Sequence, residues 1–250
     1  MNKYLANLNK IEFVLTYACS GRCKHCSEGE HKSTGDSIDK DRSIKAIRDI
    51  TSKYDIHTCM TFGGEPLLCR DIMYEIHSVA RECDIVHRQI ITNGYFTQNM
   101  SEISVTSQKL FECGVNDVLL SVDAFHQEFI PLDMVEFFAR ELLRYNVPVR
   151  TQPAWLVSPD EDNSYNETTH NLLDYFEKMG INSNEGNIIF PSGNALKYFG
   201  EYFNLDSIPQ DPYMEDPYNI KTVSFDPDGS VLGGNFYKND ILDIIESYTP

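Results

Sequence analysis

Three cysteines near the start of the chain are the residues best suited to carry chemistry. They are spaced Cys19-x3-Cys23-x2-Cys26 and follow the apolar run 11–15, where a strand is expected to end. A structural zinc site is normally closed by four protein ligands in two separated pairs, and no second pair follows here. Three thiolates on a short loop can instead hold an iron–sulfur cluster that keeps one iron without a protein ligand. The spacing therefore predicts a metal centre with an open coordination position.

Two later strands are followed by segments that allow close contact with a ligand. The first is Gly63-Gly64-Glu65-Pro66, in which the glycines let the backbone approach a ligand and the Glu65 carboxylate can accept from an ammonium group. An ordinary turn from strand to helix is the alternative. The second segment contains Asn93-Gly94, a strong hairpin signal, but a helical pattern follows it. We therefore expect Asn93 to lie in a loop between strand and helix at the same site.

Two further strands carry polar residues on one face. Ser121 and Asp123 share a face of the fourth strand, and Arg150 and Gln152 share a face of the fifth. A parallel strand that is buried on both faces should be apolar throughout, so these polar faces predict a lined cavity. Arg150 has the fork geometry that binds carboxylates, although a buried ion pair with a neighbour such as Asp123 is the alternative.

Three more side chains are candidates by their position. Cys69 and His126 are candidate catalytic residues because they closely follow the polar strand ends. A buried structural cysteine and an ordinary surface or core histidine are the alternatives. His25 lies between the second and third cysteines, and there the alternative is a zinc ligand.

The elements that must position these residues alternate along the chain, which predicts an α/β fold. Amphipathic helical patterns separate six short apolar strands, expected at 11–16, 57–62, 85–92, 117–123, 147–156 and 187–190. Strand–helix alternation indicates a parallel sheet covered by helices, with ligands beyond the carboxyl ends of the strands. Six units are fewer than the eight of a closed barrel. The pattern therefore predicts a partial, open TIM barrel of about six β/α units.

The last fifty residues form a different pattern. Residues 202–218 are aromatic and acidic, and they predict either a lid or ordinary packing. A hairpin of 222–225 with 231–232 around the turn 226–229, and a helix over 240–247, complete the chain. We expect one compact unit, with the barrel at 1–200 and a C-terminal extension at 201–250 packed on it.

Composition restricts the partners and the compartment. A net charge of −17 argues against nucleic acid and anionic membranes, because both are bound by clustered Lys and Arg. The chain shows neither an apolar stretch of membrane-spanning length nor the apolar core of a signal peptide. Seven cysteines, an odd number, favour reduced thiols and metal ligation over a disulfide framework. We therefore expect a cytoplasmic protein.

The cysteine spacing, the Gly63-Gly64-Glu65-Pro66 run and Ser121-x-Asp123, in this order within residues 11–190, resemble the radical S-adenosylmethionine (radical SAM) superfamily. The resemblance implies an oxygen-sensitive [4Fe-4S] cluster on the three cysteines, whose open iron binds the amino and carboxylate groups of SAM. Reduction, with flavodoxin or ferredoxin as donor, would cleave SAM to a 5'-deoxyadenosyl radical. That radical would abstract hydrogen from a small-molecule or peptide substrate.

The resemblance also implies roles for single residues. Gly63, Gly64 and Glu65 would receive the SAM amino group, Ser121 and Asp123 would lie near its ribose, and His25 near its adenine. By the same analogy, the cofactor-binding candidates at the other strand ends are Asn93, Arg150 and Gln152. Residues 223–237 look like the hairpin of members with a cysteine-rich (SPASM or twitch-like) auxiliary-cluster domain, but here the cysteines are missing. A single cluster is therefore expected.

Other functions remain open on the sequence alone. Modification of a peptide, as in ribosomally made and modified peptides, is the closest alternative to a small-molecule substrate. A non-catalytic iron–sulfur or zinc protein would have no use for Gly63-Gly64-Glu65 or Ser121-x-Asp123. A thiol oxidoreductase would use Cys23-x2-Cys26 and leave Cys19 unexplained.

Overall fold

A six-stranded parallel sheet forms the centre of the protein in a computed structural model, which describes residues 2–204 and 214–250. The strands are β1 (Lys10–Val14), β2 (Thr58–Phe62), β3 (His87–Thr92), β4 (Asp117–Ser121), β5 (Val149–Gln152), β6 (Ala154–Trp155), β7 (Asn187–Ile188), β8 (Thr222–Phe225), β9 (Ser230–Val231) and β10 (Gly234–Asn235). The central sheet has the order β5-β4-β3-β2-β1-β8, and every neighbouring pair in it is parallel.

Helices connect the strands where the apolar periodicity predicts them. They are α1 (Lys40–Thr51), α2 (Arg70–Glu82), α3 (Met100–Cys113), α4 (Ala124–Gln127), α5 (Leu132–Arg144), α6 (Ser164–Glu177), α7 (Gly193–Phe199) and α8 (Ile241–Ser247). Side chains cap several of them: Asp39 and Asn99, for example, accept hydrogen bonds from first-turn amides of α1 and α3. Helix α3 ends at Gly114, whose φ of 89° lies in the left-handed region that favours glycine.

The main core lies between the sheet and α1, α2, α3 and α5. Alternate strand residues such as Ile11, Phe13, Ile90 and Val118 point into it and are fully buried. A second, smaller core lies under α4, α6 and α7, and it consists of Phe125, Ala154, Leu156, Ile189, Ala195 and Phe199. The helices therefore cover one face of the sheet, and the predicted partial, open barrel is confirmed.

The fifth and sixth predicted strands differ from the simple pattern. Pro153 has no N–H to donate, and it divides the fifth strand into β5 and β6. The sixth, β7, pairs in parallel with β6 outside the central sheet. The sixth strand of the central sheet is β8 from the C-terminal segment, which lies beside β1 at the opposite edge.

The predicted C-terminal hairpin is wrong in its pairing. The turn forms as expected, with the amide of Gly229 donating to the carbonyl of Asp226 at 2.9 Å. However, β8 pairs with β1, and β9 pairs with β10 in an antiparallel ribbon. A strand beside β1 gains a full parallel ladder and buries Val223 and Phe225, whereas a short hairpin would bury neither.

Residues 205–213 of the predicted aromatic stretch lie outside the described residues. Among the helices that are described, none has both the length and the apolar character needed to cross a bilayer.

Candidate metal centre

The three cysteines lie on a loop that leaves β1 and returns to the sheet edge at Ser37. Thr16 and Ser37 form a bridge at its base, and the amide of Cys19 donates to the carbonyl of Lys32 at 2.8 Å. Gly21 lies between two of the thiols: a Cβ at this position would be 3.3 Å from the Cys23 sulfur and 3.5 Å from the Cys19 sulfur. A glycine here leaves the space between the sulfurs open.

Hydrogen-bonding groups surround the sulfur atoms. Asn93 Nδ2 lies 3.6 Å from the Cys19 sulfur, and the amide of Gly21 lies 3.3 Å from it. His31 Nε2 lies 3.1 Å from the Cys26 sulfur, while His31 Nδ1 contacts the carbonyl of Tyr17 at 2.7 Å. Groups that contact ligand sulfurs in this way orient them and tune a bound metal centre.

The donor set has the electrostatics of a site built for a cation. Burial raises the pKa of Cys19 to about 12, and the carboxylate of Glu65 adds to the effect. Burial, with a contribution from Asp123, also raises the pKa of Cys23. These thiols keep their protons unless positive charge enters the site. A metal centre supplies that charge and displaces the protons, so the residues fit the group that the spacing predicts.

The spread of the sulfurs favours a cluster over a single zinc ion. Ligand atoms on one zinc, each 2.3 Å from the metal, lie within about 4 Å of one another. Among the described residues, only His25, Asp123 and His126 bring three possible ligand atoms within 4.8 Å, and the cysteine sulfurs do not. Both oxygens of Asp123 are already occupied by hydrogen bonds, and His25 meets His126 through a ring contact, so this trio is not a ready metal site.

Gly63 and Gly64 follow β2 and pack directly against the cysteine loop. A Cβ on Gly63 would lie 2.5 Å from the carbonyl oxygen of Thr16, and one on Gly64 would lie 2.1 Å from that of Ala18. The amide of Gly64 donates to the Thr16 carbonyl, and the amide of Glu65 to the Ala18 carbonyl, both at 2.8 Å. The space left by the two glycines is thus filled by protein backbone, and it fixes the start of the cysteine loop.

Glu65 is a fully buried carboxylate that ties β2 to β3. It accepts hydrogen bonds from the Leu67 amide at 3.0 Å, the Thr92 hydroxyl at 2.6 Å and the Asn93 amide at 2.8 Å. Burial raises its pKa to about 7, although these bonds favour the ionised form. The expectation of a free carboxylate is corrected here: three bonds leave it only one open lone pair for an ammonium group.

Asp123 also lies at a strand end and is fully buried. Its Oδ1 accepts from the amides of Phe125 and His126, and its Oδ2 accepts from the Ala154 amide at 3.0 Å and contacts His126 Nδ1 at 2.8 Å. Burial alone would raise its pKa, but the charge and hydrogen bond of His126 bring it to about 2. Asp123 therefore positions His126. Ser121, its neighbour on β4, is buried beside Gln152 in the strand register.

The rings of His25 and His126 are in contact. Their ring centroids are 4.6 Å apart in an edge-on arrangement, and His25 also contacts the ring of Phe125. Burial lowers the pKa of His25 to about 3, and its buried Nδ1 has no hydrogen-bond partner among the described residues. A neutral, unpartnered imidazole beside the cysteines is an available contact for a bound molecule.

Three other candidates lie outside this group. Arg150 forms a two-point ion pair with Asp117, at 3.1 and 2.7 Å, and Gln152 accepts from Asn184. The structure therefore pairs Arg150 with a neighbour, as the alternative expected, but the neighbour is Asp117. Burial raises the pKa of Cys69, which disfavours the thiolate that a reactive cysteine needs.

Sequence reasoning missed the residues that bind the outer half of the loop. Ser192 and Asn194 donate hydrogen bonds to its carbonyls, and His31 contacts its third sulfur. Ser192 and Asn194 lie four and six residues after β7, at the start of α7, so the rule that ligand sites lie beyond strand ends could have drawn attention to this segment. His31 lies five residues after Cys26 and carries no comparable signal.

A sequence model of the Radical SAM superfamily matches residues 13–151. The probable GTP 3',8-cyclase of Methanocaldococcus jannaschii is 27% identical over 127 residues, which are 51% of this chain and 40% of that protein. The chain therefore spans well under two thirds of the length of this curated relative.

Two solved structures of Streptococcus suis SuiB share the fold. The one bound to S-adenosylmethionine has a TM-score of 0.63 at 13% identity, covering 97% of this chain and 66% of SuiB. The one bound to the precursor peptide SuiA has a TM-score of 0.59 at 12% identity, covering 97% and 67%. At this identity the likeness concerns the fold alone.

Proposed function

Because the chain belongs to the radical SAM superfamily, we propose that it is an enzyme that binds one [4Fe-4S] cluster through Cys19, Cys23 and Cys26 and cleaves SAM reductively. One observation carries this proposal. The Cys19 and Cys23 sulfurs converge on Gly21, at the carboxyl edge of the sheet, and Asn93 and the Gly21 amide contact the Cys19 sulfur. This arrangement supports a cluster with an open position.

When bound, the cluster and SAM supply a 5'-deoxyadenosyl radical that abstracts hydrogen from a substrate. The chain's own residues hold and shield these groups. Gly63 and Gly64 fix the start of the cysteine loop, and Glu65 holds Asn93 against Cys19. The backbone carbonyls of Gly63 and Gly64 and the last lone pair of Glu65 remain the proposed acceptors of the SAM amino group.

We propose His25 and His126 as the wall of the adenosyl pocket. Asp123 uses both its oxygens inside the protein, so His126 on α4 offers the open contact in its place, and Ser121 at the end of β4 is a further candidate. Arg150 and Gln152 keep their proposed roles only if SAM displaces the bonds to Asp117 and Asn184. Of the two catalytic candidates, His126 is supported more strongly than Cys69, whose raised pKa disfavours reactivity.

The substrate is proposed to lie against the sheet face opposite the helices. Phe62 and Ile91 are partly exposed there, and Asp117 and Arg150 form a polar pair on the same face. A small molecule fits this mixed surface. A peptide substrate is the second candidate, since SuiB, which shares the fold, has been solved with its precursor peptide.

The electron donor and the compartment belong to the same proposal. A reduced flavodoxin or ferredoxin would deliver the electron, and a cytoplasmic location would keep the seven thiols reduced. All seven cysteines are free in the structure, which supports a reducing environment.

The proposal is tested under anaerobic conditions. The protein is reconstituted with iron and sulfide, mixed with SAM and a strong reductant, and assayed for 5'-deoxyadenosine. We expect product from the wild type and none from Cys23→Ala. A loaded wild-type cluster that yields no 5'-deoxyadenosine would refute the SAM-cleaving activity and favour a non-catalytic iron–sulfur protein.

A further inference from the structure

Asn194, at the start of α7, binds three carbonyls of the cysteine loop. Its amide donates to the carbonyl of Cys26 at 2.9 Å. Its side-chain Nδ2 donates to the carbonyls of Cys23 at 3.3 Å and of Gly29 at 3.1 Å. Two of these carbonyls belong to cysteines of the metal centre. Asn194 is 7% exposed, so water offers these carbonyls little replacement for its bonds.

Two neighbours of Asn194 complete the contact. The Ser192 hydroxyl donates to the carbonyl of Ser27 at 2.8 Å. Gly193 lies so close to the loop that a Cβ on it would be 2.3 Å from the Ser27 oxygen and 2.6 Å from the Gly29 nitrogen. Residues 192–194, which we call the clamp segment, therefore touch the loop from the second cysteine to Gly29.

The clamp segment is itself held firmly. It leads into Ala195 and Phe199, which are buried in the second core with Phe125 and Ile189. The cysteine loop, by contrast, has neither helix nor strand over residues 20–36. Its position is thus supplied by contacts with other parts of the chain. Fixing a loop before it binds a metal reduces the conformational entropy lost on binding.

We propose that the clamp segment is a positioning element of the metal centre, which keeps Cys23 and Cys26 directed at one cluster and slows the release of iron. The inference rests on the proposed cluster. The sequence of the clamp segment, Ser-Gly-Asn, contains no motif that indicates this role. Loss of the clamp should change the rate of iron release and the spectrum of the cluster, beyond any change in the stability of the protein.

The first test compares two buried asparagines. Asn194→Ala removes the two side-chain bonds of the clamp, to the carbonyls of Cys23 and Gly29, while Asn166→Ala is the matched control. Asn166 is 1% exposed and also donates to three loop carbonyls, those of Leu156, Ser158 and Glu161. Both changes should lower the thermal midpoint. Only Asn194→Ala should speed iron loss to a chelator, by roughly tenfold, and alter the electron paramagnetic resonance spectrum of the reduced cluster.

The second test compares two glycines with left-handed backbones. Gly193 has a φ of 52° and Gly180 a φ of 84°, so alanine strains the backbone at either position. A Cβ on Gly180 would meet nothing within 4 Å, whereas one on Gly193 presses on the loop. Faster iron release is therefore expected from Gly193→Ala and not from Gly180→Ala. If Gly193→Ala or Asn194→Ala does not fold, the milder Ser192→Ala variant can be compared with the controls for iron release in the same way.

The outcomes separate the two proposals. If the wild type assembles no cluster, the proposed function fails and this inference falls with it. If the wild type assembles a cluster and the three clamp variants release iron at the wild-type rate with an unchanged spectrum, the clamp role is refuted and the proposed function stands. Release that is faster in the clamp variants than in both controls supports the clamp.

Discussion

Two layers of the molecule use the same residue types in opposite ways. In the loop layer, beyond the carboxyl ends of β1–β4, Cys19 and Glu65 are linked through Asn93 in one hydrogen-bonded group. In the helix layer, formed by α1, α2, α3, α5 and the sheet face they cover, Cys59 is fully buried in the apolar core, and the fully buried His77 contacts the Thr61 hydroxyl through its Nε2 at 2.9 Å. Residue type alone therefore does not mark a site. Convergence of several polar groups at the strand ends does.

The cysteines provide the largest expected contrast between the layers. Cys23→Ala should abolish cluster assembly, because it removes one of the three proposed ligands. Cys59→Ala should retain full iron and lower the free energy of unfolding by about 1 kcal/mol, the effect of a small cavity. Iron content measures cluster assembly, and chemical denaturation measures the free energy of unfolding. Full iron in Cys23→Ala, or its loss in a folded Cys59→Ala, would show that the two layers are not distinct.

Two buried glutamates, one in each layer, should contribute differently to the free energy of unfolding. Glu65→Ala leaves two amides and a hydroxyl without their acceptor, so we expect a loss of about 3 kcal/mol. Glu141 on α5 is 7% exposed but forms only an ion pair with Arg144 at 3.2 Å. Glu141→Ala should cost less than about 1 kcal/mol. Denaturant unfolding of the metal-free protein measures the two losses of free energy. Equal losses would contradict the linking role of Glu65.

The pH dependence of stability should have opposite signs in the two layers. Burial lowers the pKa of His77 to about 3. Its contribution to the free energy of unfolding is therefore complete above pH 6.5. That contribution is lost as the pH falls below 6.5, because the unfolded chain takes up the proton there. Burial raises the pKa of Glu65 to about 7, so its contribution is complete below pH 4.5 and is lost between pH 4.5 and 7. Each slope is at most about 1.4 kcal/mol per pH unit.

Single variants separate these two slopes. Compared with the wild type, His77→Gln should lose less stability between pH 6.5 and 5, and Glu65→Gln should lose less between pH 5 and 7. Unfolding by denaturant at pH 5, 6 and 7 gives the free energies. Parallel pH curves for both variants and the wild type would mean that neither group titrates differently on folding.

The smallest expected effect concerns an exposed tyrosine at the edge of each layer. The Tyr17 hydroxyl donates to Asp226 at 2.9 Å and connects the cysteine loop to the C-terminal segment. The Tyr175 hydroxyl, on α6, donates at 2.6 Å to Glu136 of α5 in the helix layer. Phenylalanine at either position should lower the free energy of unfolding only slightly, because both hydroxyls are exposed to water. Only Tyr17→Phe should also increase iron release, and identical release from both would place the Tyr17 bond outside the support of the loop.

The strands of the main sheet were predictable to within a few residues. Predicted 57–62 and 117–123 became Thr58–Phe62 and Asp117–Ser121, because buried parallel strands are short apolar runs with a clear local signal. The partner of β8 was not predictable. Pairing β8 with β1 joins residues more than two hundred positions apart, and local turn chemistry favoured the nearer hairpin.

The site was predictable in its residues but less so in their contacts. The spacing of Cys19, Cys23 and Cys26 and the Gly63-Gly64 pair were visible in the sequence. That the glycines make room for the cysteine loop depends on where β1 and β2 end relative to each other. The bonds of Asn194 to this loop likewise join segments about 170 residues apart.

The α/β class, the three-cysteine loop and the polar strand ends were visible in the order of the amino acids, because periodicity, ligand spacing and backbone freedom are local properties. Which of those polar groups are free depends on the folded arrangement of the chain. That arrangement occupied Asp123 with His126, paired Arg150 with Asp117 and gave Asn194 to the cysteine loop. The physical reason is that a buried polar group must find a hydrogen-bond partner, and distant parts of the chain provide that partner only after folding.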